Sequence, residues 1–113
     1  MHELALSQGI IDLVTEYARR EGMQTVTRVV VEVGAAAAVE AEALQFCFDM
    51  VAEHSAARGA ILVIERTPLR ARCADCAGEY EPDGLVAACP RCGAYGPALL
   101  GGRELRVKSF DGA

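Results

Sequence analysis

Two Cys-x-x-Cys pairs, Cys73-Ala-Asp-Cys76 and Cys89-Pro-Arg-Cys92, stand twelve residues apart in the chain. Each such turn presents two sulfurs to one ion, and two turns close a tetrahedral shell of the kind Zn²⁺ favours. Four protein ligands leave no open position for water or substrate, which assigns the site a structural role. By analogy with zinc fingers, binding contributes about 10–16 kcal/mol of folding free energy. A redox dithiol is the competing reading of any single Cys-x-x-Cys, and two pairs at ribbon spacing argue against it. Gly78 and Gly93 follow the pairs, where the chain reverses and backbone N–H groups turn toward the sulfurs. Residues 79–81 and 85–88 read as hairpin arms, with Pro82-Asp83-Gly84 as the turn between them.

A staple of this kind suits a short chain. With 113 residues, no Trp and few aromatics, the core must rest on Leu, Ile, Val and Ala. Residues 4–21 predict a helix with Leu6, Ile10, Leu13, Val14 and Tyr17 on its buried face and Gly22 as its stop. Residues 26–33 predict a strand buried on both faces, since Val29, Val30 and Val31 run consecutively. A second helix over 40–54 has Leu44, Cys47, Phe48 and Val51 as its stripe, which makes Cys47 a core residue. Residues 60–65, 69–72 and 103–110 read as further strands, the last returning to the first sheet. The expected fold is α+β: a small mixed sheet with two helices, residues 1–70 and 103–113, and an inserted four-cysteine zinc ribbon, residues 71–102.

Charge bears on partners. The net charge is −5, with ten acidic and five basic side chains in residues 1–66. That balance disfavours nucleic acid, although Arg70, Arg72, Arg91, Arg103, Arg106 and Lys108 could form a local basic strip. No segment has the length of a membrane span. Glu3, Asp12 and Glu16 interrupt the opening stretch, so it does not read as a secretory signal. Five cysteines in such a chain point to a reducing compartment, the cytoplasm. No Ser-His-Asp set, phosphate-binding loop or open metal triad is present, so no enzyme activity is expected.

The first three residues, Met1-His2-Glu3, place an amine, an imidazole and a carboxylate together. The Met1 amine, the His2 amide nitrogen and the His2 imidazole can close adjacent chelate rings around Ni²⁺ or Cu²⁺, with Glu3 as a further donor. The same residues also suit a plain helix start, where Glu3 favours the N-terminal dipole.

The opening MHELALSQGIIDLV, the strand VVVEVG, the segment VEAEALQFCFDMV and the two Cys-x-x-Cys pairs occur in that order. Together they resemble the hydrogenase-maturation nickel metallochaperones, the HypA/HybF family, over essentially the whole chain. The resemblance implies Ni²⁺ as cargo at the amino terminus and Zn²⁺ held structurally by Cys73, Cys76, Cys89 and Cys92. His2 is then the principal nickel ligand, assisted by Met1 and Glu3. Glu40 stands where some members have an acidic residue near the nickel, and it reads equally well as a solvated carboxylate in a helix first turn. The implied partners are a nickel-handling GTPase and the large subunit of [NiFe]-hydrogenase, with urease maturation proteins for some members. Some relatives recruit a ribbon histidine to nickel, whereas this ribbon contains none and His54 reads as an exposed residue. A zinc-ribbon interaction module for protein or nucleic acid, without nickel transfer, is the alternative. Monomer and homodimer both remain open.

Overall fold

The structure, a computed structural model, describes residues 2–84 and 87–113. By contact density it divides into two units: Met1–Glu32 with Val39–Glu65 and Arg106–Ala113, and Val33–Ala38 with Arg66–Leu105. The described residues form two α-helices, a short 3-10 helix (Ala35–Ala37) and two small three-stranded sheets, the α+β class expected.

In the first unit, α1 (Glu3–Arg20) and α2 (Ala41–Ala52) pack on each other. Two hydrogen bonds fix their direction. The Glu40 N–H donates to Glu3 Oε2 at 3.1 Å, and the Ser7 hydroxyl donates to the Leu44 carbonyl at 3.4 Å. Both pairs are 37 positions apart, so the helices run parallel and start side by side. Ser7 is fully buried, which its bond to a backbone acceptor makes tolerable.

The α1 face differs from the expected one. Ser7, Ile10, Ile11, Val14 and Ala18 are buried, while Leu13 and Tyr17 are 44% and 48% exposed. Small Ser7 and Ala18 let the helix approach closely, and the contact stripe turns toward them, leaving the two larger side chains on its flank. On α2, Leu44, Phe48 and Ala52 are buried, but Cys47 is only half-buried, which corrects its assignment to the core. His54 is exposed, as expected.

Strand β1 (Val26–Gly34) is central in the sheet order β2-β1-β6, between β2 (Ile61–Thr67) and β6 (Leu105–Gly112). Val29, Val31 and Val33 are at most 2% exposed, and Val30 on the other face is 8% exposed, so the consecutive valines are buried on both faces as expected. Burying each contributes about 1.5–3 kcal/mol of transfer free energy. Ion pairs Arg106–Glu32 and Lys108–Glu65 tie β6 to β1 and to β2.

In the second unit, β3 (Arg70–Arg72) is central, with β4 (Glu79–Tyr80) and β5 (Ala98–Gly101) antiparallel on its two sides. Ala71 is fully buried and pairs with both Tyr80 and Leu99. The register shifts between Arg70 and Ala71, a bulge that bends the strand. Of the expected hairpin of 79–81 against 85–88, Glu79 and Tyr80 form a strand, and it pairs upstream with Arg72 and Ala71. Leu85 and Val86 of the other arm lie outside the described residues. Strand β5 was not anticipated, because its neighbourhood is dominated by Gly and Pro. Backbone crowding closes this unit: a Cβ on Gly34 would fall on the Gly102 carbonyl, which accepts from the Ala36 N–H at 2.7 Å.

Candidate metal centre

The two cysteine pairs form two copies of one turn. In the first, the Ala77 N–H donates to the Cys73 carbonyl at 3.0 Å and the Cys73 N–H to the Gly78 carbonyl at 2.9 Å. In the second, the Gly93 N–H donates to the Cys89 carbonyl at 2.8 Å and the Cys89 N–H to the Ala94 carbonyl at 2.8 Å. The equivalent positions are therefore Ala77 and Gly93, and both are left-handed, with φ of 59° and 78°. The sequence suggested glycine for the reversal in each copy, but in the first it is Ala77 that takes the strained conformation.

These turns gather the sulfurs. Cys73 Sγ lies 3.4 Å from Cys92 Sγ, Cys76 Sγ lies 3.7 Å from Cys89 Sγ, and all four fall within 4.8 Å of one another. Disulfide sulfurs would sit about 2.05 Å apart. Zn–S bonds of about 2.3 Å at tetrahedral angles put sulfurs about 3.8 Å apart, so spacing and chemistry both fit zinc. Cys73 and Cys89 are buried, while Cys76 and Cys92 reach solvent.

Backbone donors prepare the sulfurs for the charge they carry with a metal. The Cys76 N–H points to Cys73 Sγ at 3.5 Å and the Arg91 N–H to Cys89 Sγ at 3.4 Å. The N–H groups of Cys76 and Asp75 lower the Cys73 thiol pKa, and those of Cys92 and Arg91 bring Cys89 down to about 7. At Cys92 the Ala94 N–H acts downward, but the Cys73 sulfur, burial and the remaining sulfurs push the thiol up to about 12. Four thiols this close cannot all ionise without a cation among them. The Tyr80 hydroxyl is buried and has no hydrogen-bond partner among the described residues. Burial and then the four sulfurs raise its pKa.

The amino-terminal candidates gather at the paired helix starts. His2 is the N-cap of α1: its carbonyl accepts from the Leu6 N–H at 3.0 Å, and its exposed imidazole makes no capping bond. Glu3 opens the first turn, and the Glu40 N–H lowers its carboxyl pKa. Glu40 is the N-cap of α2, its carboxylate accepting from the Glu42 N–H at 3.2 Å and the Ala43 N–H at 2.6 Å. Glu3 and Glu40 thus meet, with His2 adjacent to Glu3 in the chain, while Met1 lies outside the described residues. Two helix N-termini side by side are electropositive, and the two carboxylates offset that field. The Glu40 capping role, as distinct from an acid in the first turn, could have been found from its place one residue before the helix-forming run.

Four of the six residues of the basic strip are paired with carboxylates. Arg70 and Arg72 pair with Glu79 at 2.7 and 3.6 Å, Arg106 with Glu32 at 2.9 Å, and Lys108 with Glu65 at 3.0 Å. Among the described residues no helix is long and apolar enough to cross a membrane.

Comparison with known proteins gives one family. Residues 1–112 match the model described as hydrogenase/urease nickel incorporation, metallochaperone, HypA. The hydrogenase maturation factor HypA of Dechloromonas aromatica is 41% identical over 111 residues, 98% of each chain. The hydrogenase maturation factor HybF of Klebsiella pneumoniae is 42% identical over 112 residues, 99% of each. Among solved structures, that of the Ni metallochaperone HypA from Helicobacter pylori superposes with a TM-score of 0.70 at 27% identity, covering 99% of this chain and 97% of that one.

Proposed function

The chain belongs to the HypA family of nickel metallochaperones of hydrogenase maturation, and from that membership we propose that it takes up Ni²⁺ at its amino terminus and hands it on without catalysing a reaction. In this reading the His2 imidazole and amide nitrogen are the principal donors, the Met1 amine completes the chelate, and Glu3 assists. Glu40 acts first as a helix cap and secondarily as a nearby negative charge. Residues 1–70 and 103–113 handle nickel, and residues 71–102 hold zinc through Cys73, Cys76, Cys89 and Cys92.

The observation that carries the reading is the situation of His2. It caps α1 through its carbonyl alone, so its exposed imidazole is not engaged as a cap. A carrier needs nitrogen donors that select the ion and an exposed position from which to release it, which a chain terminus offers. The four-cysteine centre suits retention, because all its ligands come from the protein.

The recipient is the large subunit of a [NiFe]-hydrogenase, reached with a nickel-handling GTPase, and urease maturation proteins form a second class of partner. Assembly takes place in the cytoplasm. The test is transfer of radiolabelled nickel from the loaded protein to a nickel-free large subunit, with and without the GTPase. Transfer that depends on the GTPase and is lost in His2→Ala is expected. Equal transfer by His2→Ala would refute the amino-terminal site. The interaction-module alternative requires a strongly salt-dependent affinity for an oligonucleotide, or a protein partner unrelated to nickel.

A further inference from the structure

The second zinc knuckle places an arginine between its two ligands, in Cys89-Pro-Arg-Cys92, and that side chain crosses to the first knuckle. A Cβ built on Gly78 would lie 3.0 Å from Arg91 Cδ, 3.1 Å from its Nη1 and 3.4 Å from Cys76 Sγ. The guanidinium and the sulfur therefore border the same methyl-sized space, which stays open because residue 78 has no side chain. Gly78 is buried, while Cys76 is exposed.

The neighbouring arginines behave differently. Arg70 and Arg72 both turn to Glu79. Among the described residues Arg91 forms no ion pair, so its charge is not already neutralised by a carboxylate. Four thiolates around a divalent ion carry two excess negative charges. A guanidinium bordering the same space stabilises such charge, and because Arg91 and Cys76 are both exposed the effect is screened by salt.

We infer that Arg91 is a positioning residue of the zinc–thiolate centre: its guanidinium supplies the counter-charge for the exposed Cys76 sulfur and lowers that ligand's reactivity toward electrophiles. The inference rests on zinc occupancy and is independent of the nickel site. Alkylation by iodoacetamide forms a C–S bond, expels iodide and converts the metal-bound thiolate into a thioether. The negative charge on sulfur is consumed as the bond forms, so a cation that stabilises that charge raises the barrier. Gly78 is part of the device, because it leaves room for Arg91 to reach across.

The experiment is alkylation of the zinc-loaded full chain with limiting iodoacetamide, scored by peptide mass spectrometry as the ratio of Cys76 to Cys92 modification before zinc is lost. Both cysteines are exposed, so Cys92 serves as an internal reference. Arg91→Gln, which removes the charge and keeps much of the side chain, should raise the ratio severalfold, while Arg91→Lys should raise it less. Gly78→Ala keeps the charge but pushes the guanidinium aside, so it should shift the ratio in the same direction as Arg91→Gln. Added salt should narrow the gap between wild type and Arg91→Gln. An unchanged ratio in Arg91→Gln would overturn the inference. So would an equal rise at both cysteines, the mark of a knuckle that has merely loosened.

Discussion

Glu3 and Glu40 are joined across two helices by a hydrogen bond of 3.1 Å from the backbone N–H of Glu40 to Oε2 of Glu3. That bond favours the ionised carboxylate, so Glu3 titrates below its ordinary value of 4.5. A depressed folded-state value means the stabilisation is present above the unfolded pKa and is lost as pH falls through the folded one. The Glu40 amide resonance should therefore move with a midpoint below 4.5. That movement should disappear in Glu3→Gln. An amide shift that persists in the variant would show that Glu3 is not its partner.

Glu40 itself caps α2 through two backbone donors. Removing a cap of this kind costs about 0.5–2 kcal/mol. Glu40→Ala should lower stability in urea by that amount, whereas Glu40→Asp, a preferred capping residue, should recover most of it. No loss in the alanine variant would mean that the cap is energetically idle.

Zinc removal should act on the two units unequally. The second unit has short strands, and its four cysteine sulfurs converge on one point. The first keeps a valine and leucine core that does not involve the metal. A strong chelator should therefore erase amide protection in β3, β4 and β5 while protection in α1 and α2 largely persists. Hydrogen exchange reads this directly, and retained protection of β3 after complete zinc loss would count against metal-dependent folding.

Ala77 takes a left-handed conformation that its counterpart Gly93 adopts without penalty. A side chain in that region costs about 1–2 kcal/mol, partly offset by the greater unfolded-state freedom of glycine. Ala77→Gly should thus stabilise the zinc-loaded ribbon by about 0.5–1 kcal/mol and slow zinc release to a competing chelator. Faster release would show that the first turn does not share the geometry of the second.

The parts of this molecule that are legible in its sequence are those fixed by local chemistry. The cysteine spacing determines the knuckles because each turn closes within six residues. Consecutive valines mark β1 as covered on both faces because only such a strand buries them all. What escaped depends on partners distant in the chain. The buried face of α1 turns toward Ser7 and Ala18, whose small size counts only against a neighbouring element. Strand β4 pairs upstream with β3, and β5 owes its pairing to Ala71 rather than to its own Gly- and Pro-rich surroundings. Glu3 and Glu40 read as separate helix-start acids, and their junction follows from the parallel packing of α1 and α2.

The most direct test of a nickel carrier with separate cargo and structural sites is metal content and Ni²⁺ titration on untagged protein with a native amino terminus, beside His2→Ala. Wild type should hold one zinc per chain and bind nickel, and His2→Ala should keep the zinc and lose the nickel. Nickel binding by His2→Ala at wild-type affinity would contradict the amino-terminal site and, with it, the proposed route of delivery.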